Sequence, residues 1–180
     1  MIYTYEDCIE KFHSDYGIRK ELREGTLFRL EKGIYSDREQ ESELAVISKQ
    51  YPDAVFTMNS AFYWHDLTKE IPEAYYLMTD KDAAKIRNPR IRQSFDNYDS
   101  LEIGLMIMEY DGYPIRVFNR ERMLVELIRN KTKLPFDYYK EIIISYRKLI
   151  HDMDIQVVRE YAEQLPKKNL VLNTIRMEVL

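Results

Sequence analysis

The sequence predicts an α+β protein, with an N-terminal winged helix-turn-helix head at residues 1–38 and a mixed α/β body with C-terminal helices at residues 39–180. Three features predict this class. Two short helical patterns precede a β-prone hairpin at the N-terminus, β-prone runs and short helices follow up to residue 118, and the remainder has helical periodicity. With 180 residues and 45% apolar side chains, the chain can bury a core without a metal or a disulfide.

The head begins with two predicted helices. Residues 4–12 carry apolar side chains at helical spacing, and residues 16–24 do the same. The Ser14-Asp15 pair can cap the second helix, and Gly25 is placed to end it. The pattern predicts two helices joined by a very short turn.

Glycines then mark two predicted hairpins. The first spans residues 26–36 with Gly33 in its turn, and the second has Asp111-Gly112 between two β-prone runs. The other predicted elements up to residue 118 are a helix at 39–50, a short helix that Asn59 or Ser60 caps and that ends at about His65, and strands at 54–58, 75–79, 91–95, 103–109 and 113–118.

The last third of the chain is predicted to be helical. Helices are expected at residues 120–129, 136–150 and 155–164, with Pro135 in a first-turn position. The pattern of residues 169–180 fits either a last helix or an edge strand.

The composition and the N-terminal sequence indicate in which cellular compartment the protein is expected. No apolar run is long enough for a membrane-spanning helix, and the N-terminus shows no secretion signal. The single Cys8 cannot form an internal disulfide and fits a reducing compartment. We therefore expect a cytoplasmic protein.

Positive charge is unevenly distributed in a chain whose net charge is −4. Residues 16–38 carry six bases and four acids, residues 81–92 five bases and one acid, and residues 113–133 six bases and two acids. Local basic patches can neutralise a few phosphates, while the net negative charge disfavours indiscriminate binding of polyanions.

The second helix of the head is the strongest candidate for such binding. If Ile18 and Leu22 point into the core, its outward side carries an aromatic ring and three cations, which suits insertion into the major groove of DNA. The hairpin adds two cations in the position of a wing that contacts the DNA backbone. The predicted DNA-binding residues are Tyr16, Arg19, Lys20, Arg23, Arg29 and Lys32. Residue types alone fit equally a solvated helix whose cations are offset by Glu21 and Glu24.

Three segments carry a resemblance to a known family. Residues 29–35 (RLEKGIY) resemble the wing of AbiEi-type antitoxins, the transcriptional regulators of type IV toxin–antitoxin systems. Residues 60–68 (SAFYWHDLT), followed by Pro72, resemble that family's SALxxHGLT…P segment. Residues 122–127 (RMLVEL) resemble its RTLVDL helix start. The order and spacing agree from about residue 16 to residue 130.

The chain departs from the family pattern at several positions. Asp66 stands where the family usually has Gly, Met123 where it has Thr, and Glu126 where it has Asp. Two helices, rather than three, are evident before the wing. Only Arg29 and Lys32 fall on matched wing positions; the helix residues are inferred from helix geometry.

The resemblance implies a repressor that binds inverted repeats at its own promoter. It also implies an antitoxin, in an abortive infection system, that opposes a nucleotidyltransferase-like toxin without forming a stable complex with it. We expect no cofactor, no metal, no membrane association and no enzymatic activity, and a monomer or weak dimer.

Two other classes of function stay open. The aromatic body is compatible with a protein-binding interaction module. A metal-dependent nuclease or nucleotidyltransferase is less favoured, because the chain has no Gly-Ser dipeptide and Asp152 or Asp154 is predicted to cap a helix. Ser60 and His65 lie five residues apart on a predicted short helix, so they diverge, and His65 is expected to cap or pack that helix.

Overall fold

A computed structural model describes all 180 residues, and the chain has the predicted α+β composition. It divides into two compact units. Unit 1 consists of Met1–Asp53 and Asp111–Tyr113, and unit 2 of Ala54–Tyr110 and Pro114–Leu180.

Unit 1 combines three helices with a small antiparallel sheet. Its elements are β1 (Ile2–Thr4), α1 (Tyr5–Phe12), α2 (Asp15–Glu24), β2 (Phe28–Glu31), β3 (Ile34–Ser36) and α3 (Glu43–Gln50). The strand order is β1-β3-β2, so that α1 and α2 are inserted between an edge strand and the β2–β3 hairpin. Both helices of the head and the hairpin were predicted, whereas β1 was not.

Unit 1 is longer than the 38-residue head expected from the sequence. It continues to Asp53 because α3 packs against β1 and β3. Helix α3 itself begins at Glu43 rather than at residue 39.

Local capping explains where α1 and α2 begin and end. Thr4 and Asp7 form a reciprocal capping box at the start of α1, and His13 ends that helix in the left-handed conformation. The hydroxyl of Ser14 then accepts a hydrogen bond from the backbone N–H of Gly17, and Gly25 ends α2 with a φ of 72°. The predicted N-cap and C-cap of α2 are both confirmed.

The core of unit 1 is formed by side chains from both helices and the sheet. The buried residues that share it are Tyr3, Cys8, Ile18, Leu27 and Tyr35. Burial raises the pKa of the Cys8 thiol, which keeps it in the poorly nucleophilic protonated form.

Gly17 allows α1 and α2 to approach closely. A Cβ atom at this position would lie 2.3 Å from the carbonyl oxygen of Phe12, which belongs to the last turn of α1. Since that neighbour is backbone rather than a flexible side chain, no rotamer change relieves the overlap.

Replacing Gly17 by Ala therefore tests how tightly the helix pair is packed. In an exposed helix this change gains about 1 kcal/mol, whereas overpacking costs about 1–3 kcal/mol. We expect Gly17→Ala to lower the free energy of unfolding, measured by urea denaturation. The control Glu10→Ala, at an exposed position of α1, should stay within about 0.5 kcal/mol of the parent. A Gly17→Ala protein as stable as the parent would contradict the close approach.

Unit 2 contains a five-stranded mixed sheet of order β6-β5-β4-β8-β7. Its strands are β4 (Val55–Phe56), β5 (Tyr75–Asp80), β6 (Ile91–Asp96), β7 (Leu105–Tyr110) and β8 (Tyr113–Phe118), of which Tyr113 falls in unit 1. Strand β4 pairs antiparallel with β5 and parallel with β8, and β5 pairs parallel with β6. All five strands were predicted, although β4 is shorter than expected.

The helices of unit 2 are α4 (Met58–Trp64), α5 (Tyr98–Glu102), α6 (Arg120–Arg129), α7 (Phe136–Leu149), α8 (Ile155–Gln164) and α9 (Lys168–Thr174). The chain ends in a π-helix, Ile175–Val179, which settles the open choice for residues 169–180 in favour of helix. Helix α6 packs against α4, α8 and α9. No helix is both long and apolar enough to cross a lipid bilayer.

Two predicted helix starts in unit 2 are wrong. Helix α4 begins at Met58, after Thr57 at the N-cap, so neither Asn59 nor Ser60 caps it. Pro135 occupies the N-cap position of α7 rather than its first turn. In both places the sequence pattern locates the helix and misplaces its first residue.

Candidate nucleic-acid interface

Four of the six predicted DNA-binding residues lie on one side of α2. At 100° per residue, Tyr16, Arg19, Lys20 and Arg23 lie within about 60° of a single line along the helix. All four are exposed, and the ring of Tyr16 is 71% exposed. On the opposite side, Ile18 is only 3% exposed. We call this group of four residues the α2 face.

The cations of the α2 face are largely free of intramolecular partners. The side chains of Arg19 and Arg23 make no hydrogen bond or ion pair. The Nζ atom of Lys20 lies 3.9 Å from a carboxylate oxygen of Glu24, one turn away, in an exposed pair. Exposed pairs of this kind contribute about 0–1 kcal/mol and are readily exchanged for another anion.

The two remaining predicted residues lie on the β2–β3 hairpin. Lys32 is exposed in the turn beside Gly33, whose φ is 80°. Arg29 is exposed on β2, where its Nε donates a 3.4 Å hydrogen bond to the carbonyl oxygen of Glu31. A register shift between Arg29 and Glu31 marks an irregularity in this strand.

Packing fixes the direction in which the α2 face points. Ile18 of α2 shares the core of unit 1 with Leu27 and Tyr35, which belong to the region of the hairpin. The α2 face lies on the side of the helix opposite Ile18, so it is turned away from this core.

Carboxylates determine which part of α2 an anion can approach. Asp15 lies in the first turn, where it accepts a 2.9 Å hydrogen bond from the hydroxyl of Tyr5. Its negative charge is favourable to the helix dipole and unfavourable to a phosphate at the N-terminus of α2. Glu21 accepts a hydrogen bond from the hydroxyl of Thr26. An anion would therefore meet less repulsion at the α2 face than at the N-terminal end of the helix.

The candidate site also depends on Gly17 and His13, which sequence reasoning did not single out. Gly17 permits the close helix approach, and His13 adopts a φ of 66° in the two-residue link between the helices. A glycine inside a helical pattern is a usable signal for close packing. Nothing in the sequence marks His13.

In unit 2, the residues of the SAFYWHDLT segment have structural partners. The hydroxyl oxygen of Ser60 accepts a 2.9 Å hydrogen bond from the backbone N–H of Tyr76. His65 is buried at the end of α4, and its Nε2 donates a 2.7 Å hydrogen bond to the carbonyl oxygen of Phe118. Ser60 and His65 are not paired with each other, so they do not form a nucleophile and its base.

Burial lowers the pKa of His65, because the desolvation of the imidazolium outweighs its hydrogen bond to the carbonyl of Phe118. The guanidinium of Arg120, which donates to the carbonyl oxygen of His65, also disfavours a second positive charge here. His65 is therefore neutral in the folded protein near neutral pH.

The lowered pKa of His65 predicts an acid-dependent loss of stability. Its contribution is fully present above the unfolded-state pKa of 6.5 and is lost as pH falls below that value toward the folded-state pKa. The slope cannot exceed about 1.4 kcal/mol per pH unit. We expect urea denaturation between pH 7.5 and pH 5 to show this loss in the parent and to show less of it in His65→Gln. The matched control His151→Gln, at an exposed position, should keep the parent's slope. Equal slopes in all three proteins would contradict the assignment.

In the RMLVEL segment, Arg122 and Glu126 form a buried ion pair within α6. The Nε of Arg122 donates a 2.9 Å hydrogen bond to Glu126, while its Nη1 donates to the carbonyl oxygens of Ser100 at 2.7 Å and Ile103 at 2.9 Å. Its Nη2 lies 2.9 Å from Glu126 but is not aligned for a hydrogen bond. The guanidinium carbon lies 4.4 Å from the centre of the Phe118 ring. Arg122 thus ties α6 to α5 and to Ile103, the residue that follows α5.

Removing the carboxylate of this pair should be costly, because the fully buried guanidinium of Arg122 then has no counter-charge. We expect Glu126→Leu to lower the free energy of unfolding by about 3–5 kcal/mol. The double variant Arg122→Met/Glu126→Leu also removes the buried cation and should be more stable than Glu126→Leu, as measured by urea denaturation. Both variants lose the contact between Glu126 and Arg129, so that contact cancels in the comparison. The control Arg116→Met removes a more exposed pair with Glu102 and should cost less than about 1 kcal/mol. A double variant less stable than Glu126→Leu would contradict the argument.

Carboxylate side chains do not converge into a metal-binding group. Asp154 caps α8 by accepting hydrogen bonds from the backbone N–H groups of Gln156 and Val157, as predicted. No three His, Cys, Asp or Glu side chains come together in a group that could hold a metal ion.

Comparison with known proteins does not identify a family for this chain. No protein-family profile matches this chain, and no curated protein matches it significantly.

Proposed function

We propose that this chain is a DNA-binding transcriptional repressor, that it binds inverted repeats in its own promoter, and that it is the antitoxin of a type IV toxin–antitoxin system. The observation that carries the proposal is the α2 face, with three cations and a tyrosine on the exposed side of a helix whose other side is buried. A helix with one side exposed and the other packed in the core can enter the major groove without losing its contacts with the core.

The chemistry of the α2 face suits a duplex. Arginine can donate paired hydrogen bonds to the O6 and N7 atoms of guanine or to a phosphate. Because Arg19 and Arg23 have no intramolecular partners, such contacts would replace only hydration. Affinity would come from phosphate contacts, and sequence preference from the side chains that reach base edges.

The surrounding elements support a winged helix-turn-helix assignment for unit 1. Two helices joined by a two-residue link are inserted between strands of a three-stranded antiparallel sheet, and the hairpin of that sheet carries Arg29 and Lys32. In this assignment α2 is the recognition helix and the β2–β3 hairpin is the wing.

The antitoxin part of the proposal is supported by the resemblance to AbiEi-type antitoxins. Two of the three resembling segments supply buried contacts of unit 2, Ser60 and His65 in one and Arg122 and Glu126 in the other. Residues with such contacts are expected to be shared by proteins with the same body fold. The partner would be a nucleotidyltransferase-like toxin, opposed in the cytoplasm without a stable complex.

The experiment is a DNA-binding titration at several salt concentrations. The probe is the duplex directly upstream of the gene, and the variant is Arg19→Ala/Arg23→Ala. We expect the parent to bind with a steep salt dependence, and the variant to bind more weakly, with a slope of log K against log salt reduced by about 1.8 if both arginines contact phosphates. The matched control Lys148→Ala/Arg159→Ala removes two exposed helical cations of unit 2 and should bind as the parent does.

A second variant separates the wing from the helix. Arg29→Ala/Lys32→Ala should weaken binding to promoter and unrelated duplexes by a similar factor, because a wing contacts backbone rather than bases. If the parent does not bind the promoter more tightly than unrelated DNA, or if the α2 variant binds as tightly as the parent, the repressor proposal fails. The antitoxin part is tested separately, by whether the chain restores growth to cells that express the adjoining gene.

A further inference from the structure

The segment between β5 and β6 is an ordered loop, although it contains no helix or strand. Residues 81–90 connect two parallel neighbouring strands, and we call this segment the 81–90 loop. A side-chain hydrogen bond stabilises a turn at each end of the loop. The carboxylate of Asp80 accepts a hydrogen bond from the backbone N–H of Asp82. The side-chain oxygen of Asn88 accepts one from the backbone N–H of Arg90.

Gln93 of β6 holds the middle of the loop against the sheet. Its Oε1 accepts a 2.7 Å hydrogen bond from the backbone N–H of Ile86, and its Nε2 donates to the carbonyl oxygen of Ala84 at 3.1 Å and to the hydroxyl of Thr79 at 2.8 Å. The loop therefore lies over the face of the sheet to which the Gln93 side chain belongs.

Three of the loop's four cationic side chains take no part in this anchoring. The side chains of Lys81, Lys85 and Arg87 are exposed and make no hydrogen bond or ion pair. The conformation of the loop depends on Gln93, Asp80 and Asn88, so the three cations are held at the surface with nothing to neutralise them.

An exposed aromatic ring lies on the same face. Phe95 is two residues beyond Gln93 on β6, so the two side chains share a face about 7 Å apart along the strand. The Phe95 side chain is 46% exposed, although it follows the buried Ile91 on that face.

Neighbouring acids are directed elsewhere. Asp80 and Asp96 are directly paired across β5 and β6, and strand alternation places them on the face opposite Phe95. Asp96 is moreover paired with Arg129 at 3.5 Å. The 81–90 loop itself carries one carboxylate, Asp82, and four cationic side chains, so positive charge predominates in it.

We propose that the 81–90 loop and Phe95 form a binding surface for single-stranded nucleic acid, distinct from the α2 face. Three unpaired cations contact successive phosphates, and the exposed ring stacks on a base. An aromatic platform beside cations is the arrangement by which proteins hold single strands. A duplex keeps its bases stacked inside, so it would leave Phe95 without a partner.

The test uses the full chain with Arg19→Ala/Arg23→Ala as the background, so that the two unpaired arginines of the α2 face do not contribute. The probes are labelled oligouridylate and oligothymidylate of about 12 nucleotides and an unrelated duplex of the same length. We expect single strands to bind more tightly than the duplex. Binding of both oligonucleotides supports a surface for either nucleic acid, and binding of oligouridylate alone supports an RNA surface.

Two variants in that background locate the binding. Phe95→Ala should weaken single-strand binding at least about fivefold and leave duplex binding unchanged. The matched control Ile107→Ala removes an exposed apolar side chain, 62% exposed, from the other edge strand of the same sheet and should have no effect. Lys85→Ala/Arg87→Ala should reduce the salt slope for single strands by about 1.4, whereas Lys148→Ala/Arg159→Ala should not change it.

Several results would overturn the proposal. These are duplex binding as tight as single-strand binding, a Phe95→Ala protein that binds like Ile107→Ala, or a salt slope unaffected by Lys85→Ala/Arg87→Ala. Urea denaturation midpoints of the variants confirm that they fold. Because the probes and variants differ from those of the promoter titration, either proposal can fail while the other holds.

Discussion

Unit 2 depends on one buried guanidinium. Arg122 is fully enclosed, and burial lowers its pKa, because removing the cation from water outweighs the attraction of Glu126. Its hydrogen bonds to the carbonyl oxygens of Ser100 and Ile103 hold α5 and the residue that follows it against α6. Gly104, the next residue, has a φ of 73°, and a Cβ there would lie 2.5 Å from the Cβ of Arg122. A glycine is thus required where the chain passes closest to this arginine.

Unit 1 depends on a different constraint, the close packing of α1 on α2. Gly17 brings the helix backbones together, and Ile18 on the adjacent position enters the core. The packing, caps and hydrogen bonds that hold α2 involve neither Arg19 nor Arg23, so these two cations are not needed for the fold. The residues that stabilise α2 and the residues proposed to bind DNA occupy opposite sides of one helix, so either set can be changed without directly altering the other.

The parts of this structure that could be predicted from sequence are those governed by local rules. Helix α2 was predicted with both caps because Ser14 and Gly25 act on their nearest neighbours in the chain. Strand β1 was not predicted, since three residues carry no periodicity and its stability comes from pairing with β3, more than thirty residues away. Ser60 was misassigned as a cap for the same reason, because its partner, the N–H of Tyr76, belongs to a distant strand. The α2 face follows from helical periodicity, whereas the anchoring of the 81–90 loop by Gln93 required coordinates.

Some cations of this chain are paired in the interior and others are unpaired at the surface. This difference makes nucleic-acid binding compatible with a net charge of −4. Arg122 and Arg129 are committed to carboxylates in the interior, where Glu126 accepts from both. Arg19, Arg23, Lys85 and Arg87 have no such partners and stand at the surface. Binding of a polyanion depends on the few cations that reach phosphates rather than on the sum over the chain, and the surplus of acids elsewhere repels nucleic acid that approaches in other orientations. In an acidic protein with two small cationic surfaces, the acidic side chains therefore weaken the overall attraction to nucleic acid. The same side chains favour the orientations in which a cationic surface meets the phosphates.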